Sequence, residues 1–221
     1  MLHTLLDRLA ASPQLWGLLR WLAEGGFHAD REVITRELAP HQAVGSRTFL
    51  DFGCGTGEFA PLFPAGSYIG FDIARHYVRH AAYRHHGHYA VMSGGELAYR
   101  DQQFDAALVL GVFHHMPDAL VRSSIAELYR VLRPGARLLI MEDVPSPRRW
   151  NLAGHFMHWL DRGDHIRSDA EYRALFEPYF TISRSYPIQS GVCDLAVYVT
   201  ARAALRPAGA PTMRHGIQPY A

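Results

Sequence analysis

The 221-residue sequence predicts an α/β fold: a doubly wound sheet of seven strands, mainly parallel, with an antiparallel C-terminal hairpin and helices on both faces. Three observations lead there. Short apolar runs alternate with helical patterns along most of the chain, as crossover units require. The apolar run Phe49, Leu50, Phe52 breaks into glycines at alternate positions, Gly53, Gly55 and Gly57, where a buried strand turns sharply towards a helix. Two late strands, about 179–186 and 194–201, are joined by a short turn around Ser190-Gly191, too little chain for a crossover helix.

The elements follow in order. Residues 2–11 and 14–24 show amphipathic spacing, with Ser12 placed to cap and Pro13 to open the second helix, and Gly25-Gly26 to end it. With a further helix over 29–39, residues 1–40 form an N-terminal helical extension or lid, and residues 41–205 the main domain. The first strand begins near Arg47 and the second spans Ser67–Ile73. A helix over 74–86 carries His76 and His80 four apart, a spacing that can hold a metal, but Arg75, Arg79 and Arg84 crowd it and no acid joins it. It is expected to be an exposed polar face, with no metal bound. Strands over 89–92, 104–112 and 137–144 follow, with a helix over 118–132 stopped by Arg133-Pro134-Gly135. An inserted cover is expected at about 145–168, and the Pro/Gly/Ala-rich residues 206–221 are expected to be a flexible tail.

Composition narrows the function. With 48% apolar residues the chain can bury one good core, and a net charge of +1 gives no global positive field to attract nucleic acid or anionic lipid. Cys54 and Cys193 are too few for a disulfide framework, which suits a reducing, cytoplasmic location. The leucine-rich start is broken by Asp7, Arg8, Pro13 and Arg20, short of the roughly 20 apolar residues of a membrane span.

The glycine loop has the spacing G-x-G-x-G rather than the G-x-G-x-x-G that seats a pyrophosphate, and it is flanked by Asp51 and Glu58. Two carboxylates suit a ligand with an ammonium and a sulfonium better than one with two phosphates. Asp72, ending the second strand, can accept hydrogen bonds from both hydroxyls of a ribose.

Leu50-Asp-Phe-Gly-Cys-Gly-Thr-Gly-Glu58 resembles the first motif of class I S-adenosylmethionine-dependent methyltransferases of the bacterial small-molecule type, whose fold is Rossmann-like. Further matches come in the family's order: Gly70-Phe-Asp72, Phe104 to Met116, and Leu128 to Gly135 leading into Arg137 to Glu142. The resemblance implies S-adenosylmethionine as cofactor and S-adenosylhomocysteine as product. Asp51, Gly53, Cys54, Gly55 and Gly57 would hold the methionine part and Asp72 the ribose, with Ile73, Ser93 and Gly94 at the adenine. Leu110 and Gly111, with His115 beyond them, would flank the amino group and sulfonium. Ser93 stands where many relatives place an acid, so adenine recognition is expected to lean on backbone groups or Ile73.

Displacement at a sulfonium needs alignment and exclusion of water, and a base only if the acceptor must lose a proton. His115 is the candidate for that role, while His114 is expected to brace the loop. Trp16, Trp21, His155, Phe156 and Trp159 are expected to cover a small, partly apolar acceptor, with no nucleic acid as partner. Arg162 and Arg167 are expected to form structural ion pairs with nearby aspartates. The alternatives are a binding protein without transferase activity, an RNA or protein methyltransferase, and a nicotinamide enzyme, the last opposed by glycine spacing and hairpin.

Overall fold

A computed structural model describes residues 12–38, 47–146, 150–152, 154 and 165–202. Seven strands form one sheet in the order β3-β2-β1-β4-β5-β7-β6. They are β1 (Phe49–Phe52), β2 (Tyr68–Asp72), β3 (His88–Val91), β4 (Phe104–Leu110), β5 (Leu132–Asp143), β6 (Phe180–Ser190) and β7 (Cys193–Arg202). β1 to β5 pair in parallel, and β7 runs antiparallel to both β5 and β6, as the hairpin requires. The chain starts in the middle of the sheet at β1, proceeds outward to β3, and returns to β4 on the other side. That reversal leaves a crevice beyond the ends of β1 and β4, where ligands of such sheets bind.

The helices are α1 (Pro13–Ala23), α2 (His28–Leu38), α3 (Arg75–Arg84), α4 (Asp118–Val131) and α5 (Asp169–Phe176). β4 has almost no polar residue because both its faces are covered. On one side Val121, Ile125 and Leu128 of α4 and Tyr172 and Phe176 of α5 pack on Leu50, Phe52 and Ile140. On the other, Val33, Ile34 and Leu38 of α2 pack on Phe49, Leu108 and Leu139 and on Leu195 and Val197 of the hairpin. The side chain of Ser12 caps α1 at the Leu15 amide, 3.5 Å away, and Pro13 opens the helix. Among the described residues no helix is long and apolar enough to cross a membrane.

Three features differ from expectation. The glycine loop leads not into an α-helix but into a three-residue 3-10 turn, Ala60–Leu62, because Pro61 and Pro64 remove amide donors just where a helix would propagate. α5 was not legible beforehand; Ser168 and Glu171 form a reciprocal capping box at its start. β5 begins at Leu132, which pairs with Phe104 before a register shift, so the strand includes the Arg133-Pro134-Gly135 segment. The helix expected over 2–11, most of the cover at 145–168 and the tail from 206 lie outside the described residues.

α1 is tied to the far end of the chain. The Val192 amide donates to the Ala23 carbonyl at 2.8 Å and the Ser190 hydroxyl to the Glu24 carbonyl at 3.0 Å. The hairpin turn thus presses its backbone against the α1–α2 corner. A Cβ on Gly191 would stand 2.0 Å from the Ala23 carbonyl oxygen and 2.6 Å from the Gly25 nitrogen.

Candidate active site

The loops after β1, β2 and β4 converge on a cavity of about 310 Å³. Gly53 and Gly55 enter it from β1, Asp72, Ile73 and Tyr77 from β2 and α3, and Leu110, Gly111 and His115 from β4. α1 closes it with Trp16, Arg20 and Glu24. Asp143 at the end of β5 and Cys193 and Leu195 of β7 complete its wall.

Hydrogen bonds fix the lining loops. Asp72 accepts the Gly55 amide at 3.0 Å on one carboxylate oxygen and the Ala74 amide at 2.7 Å on the other, which ties the glycine loop to the end of β2. Each oxygen keeps a lone pair for another donor. Gly55 has a φ of +52° and nothing within 4 Å of where a Cβ would stand, so its missing side chain leaves open cavity. Gly53 is different: a Cβ there would meet Val112 Cγ2 at 2.6 Å, so it serves packing between the two loops.

Glu142 is buried under the loop after β4. It accepts the amides of Val112 (3.0 Å), Phe113 (2.8 Å) and His114 (3.3 Å), and pairs with His114 Nδ1 at 3.0 Å. His114 is thus the brace, and the exposed His115 ring lies against it, tilted by 47° with the ring centroids 4.0 Å apart. Arg167 secures the same loop from the other side, donating to the carbonyls of Phe113 (2.8 Å) and Met116 (2.7 Å) and to Asp118 (2.7 Å). It has the structural role expected, though its partner is Asp118. Arg162 lies outside the described residues.

Other candidates fall elsewhere. Asp51 does not line the cavity: it is buried in β1 and accepts the Tyr68 hydroxyl at 2.5 Å, because the facing residue of β2 is Gly70 and leaves room for that ring. The Cys54 sulfur would touch a Cβ on Gly70, facing the sheet rather than the cavity. A Cβ on Gly57 would meet Ala81 of α3, and one on Gly94 would meet the Phe52 ring, so both are close-packing positions. Ser93 is exposed and accepts the Gly95 amide at 3.4 Å. Trp21 lines a separate cleft with Leu18, Thr56 and Tyr83. His155, Phe156 and Trp159 lie outside the described residues. Among the described residues no group of histidines, cysteines and acids could hold a metal.

Residues 50–140 match the family described as "Methyltransferase domain". Over residues 50–140 the chain is thus similar to a methyltransferase domain. A tRNA (carboxymethyluridine(34)-5-O)-methyltransferase of Arabidopsis thaliana is 30% identical to it over 60% of this chain and 34% of that one. A demethylmenaquinone methyltransferase of Symbiobacterium thermophilum is 28% identical over 66% of this chain and 64% of that one. The chain therefore spans about a third to two thirds of the length of these relatives. In fold it is similar to magnesium protoporphyrin IX methyltransferase from Synechocystis PCC 6803 with bound SAH, at a TM-score of 0.65 and 17% identity over 84% of this chain and 87% of that one.

The residues that line the cavity fit S-adenosylmethionine, the cofactor that the motifs imply. Asp72 retains acceptor capacity for hydroxyls, Gly55 leaves space beside it, and Ile73, an apolar side chain 75% exposed, offers a surface for a flat ring. Sequence inspection missed Arg20, Glu24, Tyr77 and Asp143. Arg20 and Glu24 had the i, i+4 spacing of an ordinary helix-surface pair, and nothing local marked Glu24 as buried.

Burial also sets the ionisation of the domain. Desolvation pushes the Asp51 carboxyl up to about 7 even though the Tyr68 hydroxyl favours its charged form, and the nearby Asp72 charge adds to the rise. A carboxyl whose folded pKa exceeds its unfolded value contributes stability that is present at acid pH and lost as pH rises through the folded pKa. Asp51→Asn removes that dependence. The variant should therefore gain stability relative to wild type by on the order of 1–3 kcal/mol between about pH 5 and pH 8, measured by urea unfolding. A difference that stays constant with pH contradicts the assignment.

Proposed function

We propose that the protein transfers a methyl group from S-adenosylmethionine to a small, partly apolar acceptor that lies between α1 and the loop carrying His114 and His115. The observation that supports this is the continuity of the cavity, which runs from Gly55 and Asp72 to Trp16 of α1 without a break. S-adenosylmethionine, when bound, supplies an electrophilic methyl carbon on a cationic sulfur. The chain's own residues hold and align. Asp72 would receive the ribose hydroxyls, Ile73 would offer a face to the adenine, Leu110 and Gly111 would bound the methionine end, and α1 would keep water out. His115 sits on the rim, where its imidazole reaches both solvent and cavity.

Incubation with S-adenosylmethionine and metabolite fractions, followed by mass spectrometry for products heavier by a methyl group, tests the reading. Hydrogen exchange supplies a second arm: S-adenosylhomocysteine should slow exchange in the 53–57 loop and in α1. If α1 is already as protected as β1 and β4 in the free protein, it is a fixed wall and not a mobile cover. The relative named for tRNA sets the competing outcome. A salt-sensitive complex with transfer RNA, methylated in place of small molecules, would replace the small acceptor.

A further inference from the structure

Glu24 brings to the cavity a carboxylate that the cofactor motifs do not need. It is 8% exposed, at the C-terminal end of α1, and both ends of the residue are fixed. Its carboxylate accepts Arg20 Nε at 2.6 Å and Arg20 Nη2 at 3.1 Å, while its carbonyl accepts the Phe27 amide and the Ser190 hydroxyl, each at 3.0 Å. Asp30 of α2 lies close by with no exposure: one oxygen shares the Ser190 hydroxyl with the Glu24 carbonyl, and the other has no hydrogen-bond partner among the described residues.

The remaining charged or titratable groups around this end come from every packed element. They are Asp143 of β5, with Glu142 behind it on His114, His114 and His115 of the β4 loop, Asp72 of β2, Tyr77 of α3 and Cys193 of β7. The Arg20 guanidinium is shared between Glu24 and the face of the Phe27 ring, 5.4 Å away. Buried carboxylates in such number favour a proton or a hydrogen-bond donor arriving beside them. Desolvation, opposed by Arg20, pushes the Glu24 carboxyl up to about 7, so it can take and release a proton near neutrality.

We propose that Glu24 accepts the proton of the acceptor's nucleophile, and that the acceptor is therefore methylated at a nitrogen or oxygen bearing hydrogen. The heteroatom–hydrogen bond breaks with its electron pair left on the heteroatom, and the proton passes to a Glu24 carboxylate oxygen. That pair forms the new bond to carbon, and the pair of the broken carbon–sulfur bond stays on sulfur. The assignment rests on the proposed methyl transfer.

Sinefungin tests it without an acceptor, because it carries a protonated amine where S-adenosylmethionine carries its methyl group and S-adenosylhomocysteine carries nothing. Calorimetry with both ligands at about pH 8 should show wild type preferring sinefungin by about tenfold or more, the range for a hydrogen bond to a charged group. Glu24→Gln should keep its affinity for S-adenosylhomocysteine within about twofold and lose most of that preference. Lowering the pH from about 8 to about 6 should shrink the preference in wild type, as Glu24 protonates, and leave the variant unchanged. Equal preference in the two proteins overturns the role of Glu24 while leaving cofactor binding intact. Failure of wild type to bind S-adenosylhomocysteine removes the proposed function itself. Should Glu24→Gln fail to fold, the wild-type profile decides, and a preference flat with pH overturns the inference.

Discussion

Asp72→Ala should weaken binding of S-adenosylhomocysteine by about 1.5–3 kcal/mol, roughly tenfold to 150-fold, with the protein still folded. Two losses combine. The ribose hydroxyls lose a charged acceptor, and the Gly55 amide, 3.0 Å from the carboxylate, loses the group that orients the glycine loop. Burial raises the Asp72 pKa, while the Ala74 and Gly55 amides oppose that rise by stabilising the charge. Asp72→Asn separates the contributions, since an amide keeps one acceptor oxygen but turns an NH₂ towards one of the two backbone amides. It should fall between wild type and alanine. Calorimetry on protein checked by circular dichroism provides the measurement, and an unchanged affinity in folded Asp72→Ala would remove the ribose assignment.

Gly191→Ala should lower the unfolding free energy by about 2–4 kcal/mol. The residue has a φ of +57°, where an L side chain is strained by about 1–2 kcal/mol. Its new methyl would also point into the backbone of Ala23 and Gly25 rather than into a side chain that could turn away. The corner must shift, and with it Glu24 and the Val192–Ala23 hydrogen bond. Urea unfolding gives the magnitude, and fluorescence of Trp16 and Trp21 reports whether α1 detaches before the sheet melts. A change under about 0.5 kcal/mol would mean that the turn does not press on α1.

Much of this molecule was legible locally. Strands buried on both faces read as continuous apolar runs, Phe104 to Leu110 most plainly, and the alternate glycines with Asp72 placed one side of the cavity through short-range spacing. What escaped depends on distant partners. Glu24 is buried by a turn whose Ser190 hydroxyl comes from 166 residues away, and no helical spacing reveals that. Asp51 looks like a ligand contact until the register of β1 and β2 brings the Tyr68 ring to it. Trp16 and Trp21 were grouped by composition, yet five positions on a helix place them about 140° apart, so only one faces the cavity. The missing helix after the glycine loop was readable, because Pro61 and Pro64 were in plain view.

The seat of α1 and α2 has a consequence for the order in which the chain assembles. Both helices leave the ribosome before Ser190, Gly191, Leu195 and Val197, against which they pack. Until β6 and β7 pair, the apolar stripe of Phe27, Val33, Ile34 and Leu38 lacks the part of its contact surface that Leu195, Val197 and Val199 supply. Closing that contact spans most of the described chain and carries a correspondingly large loop-closure entropy. Docking of these helices is then expected late in folding, after the hairpin has formed. A nascent chain stalled before residue 190 displays a sticky stripe that chaperones would recognise.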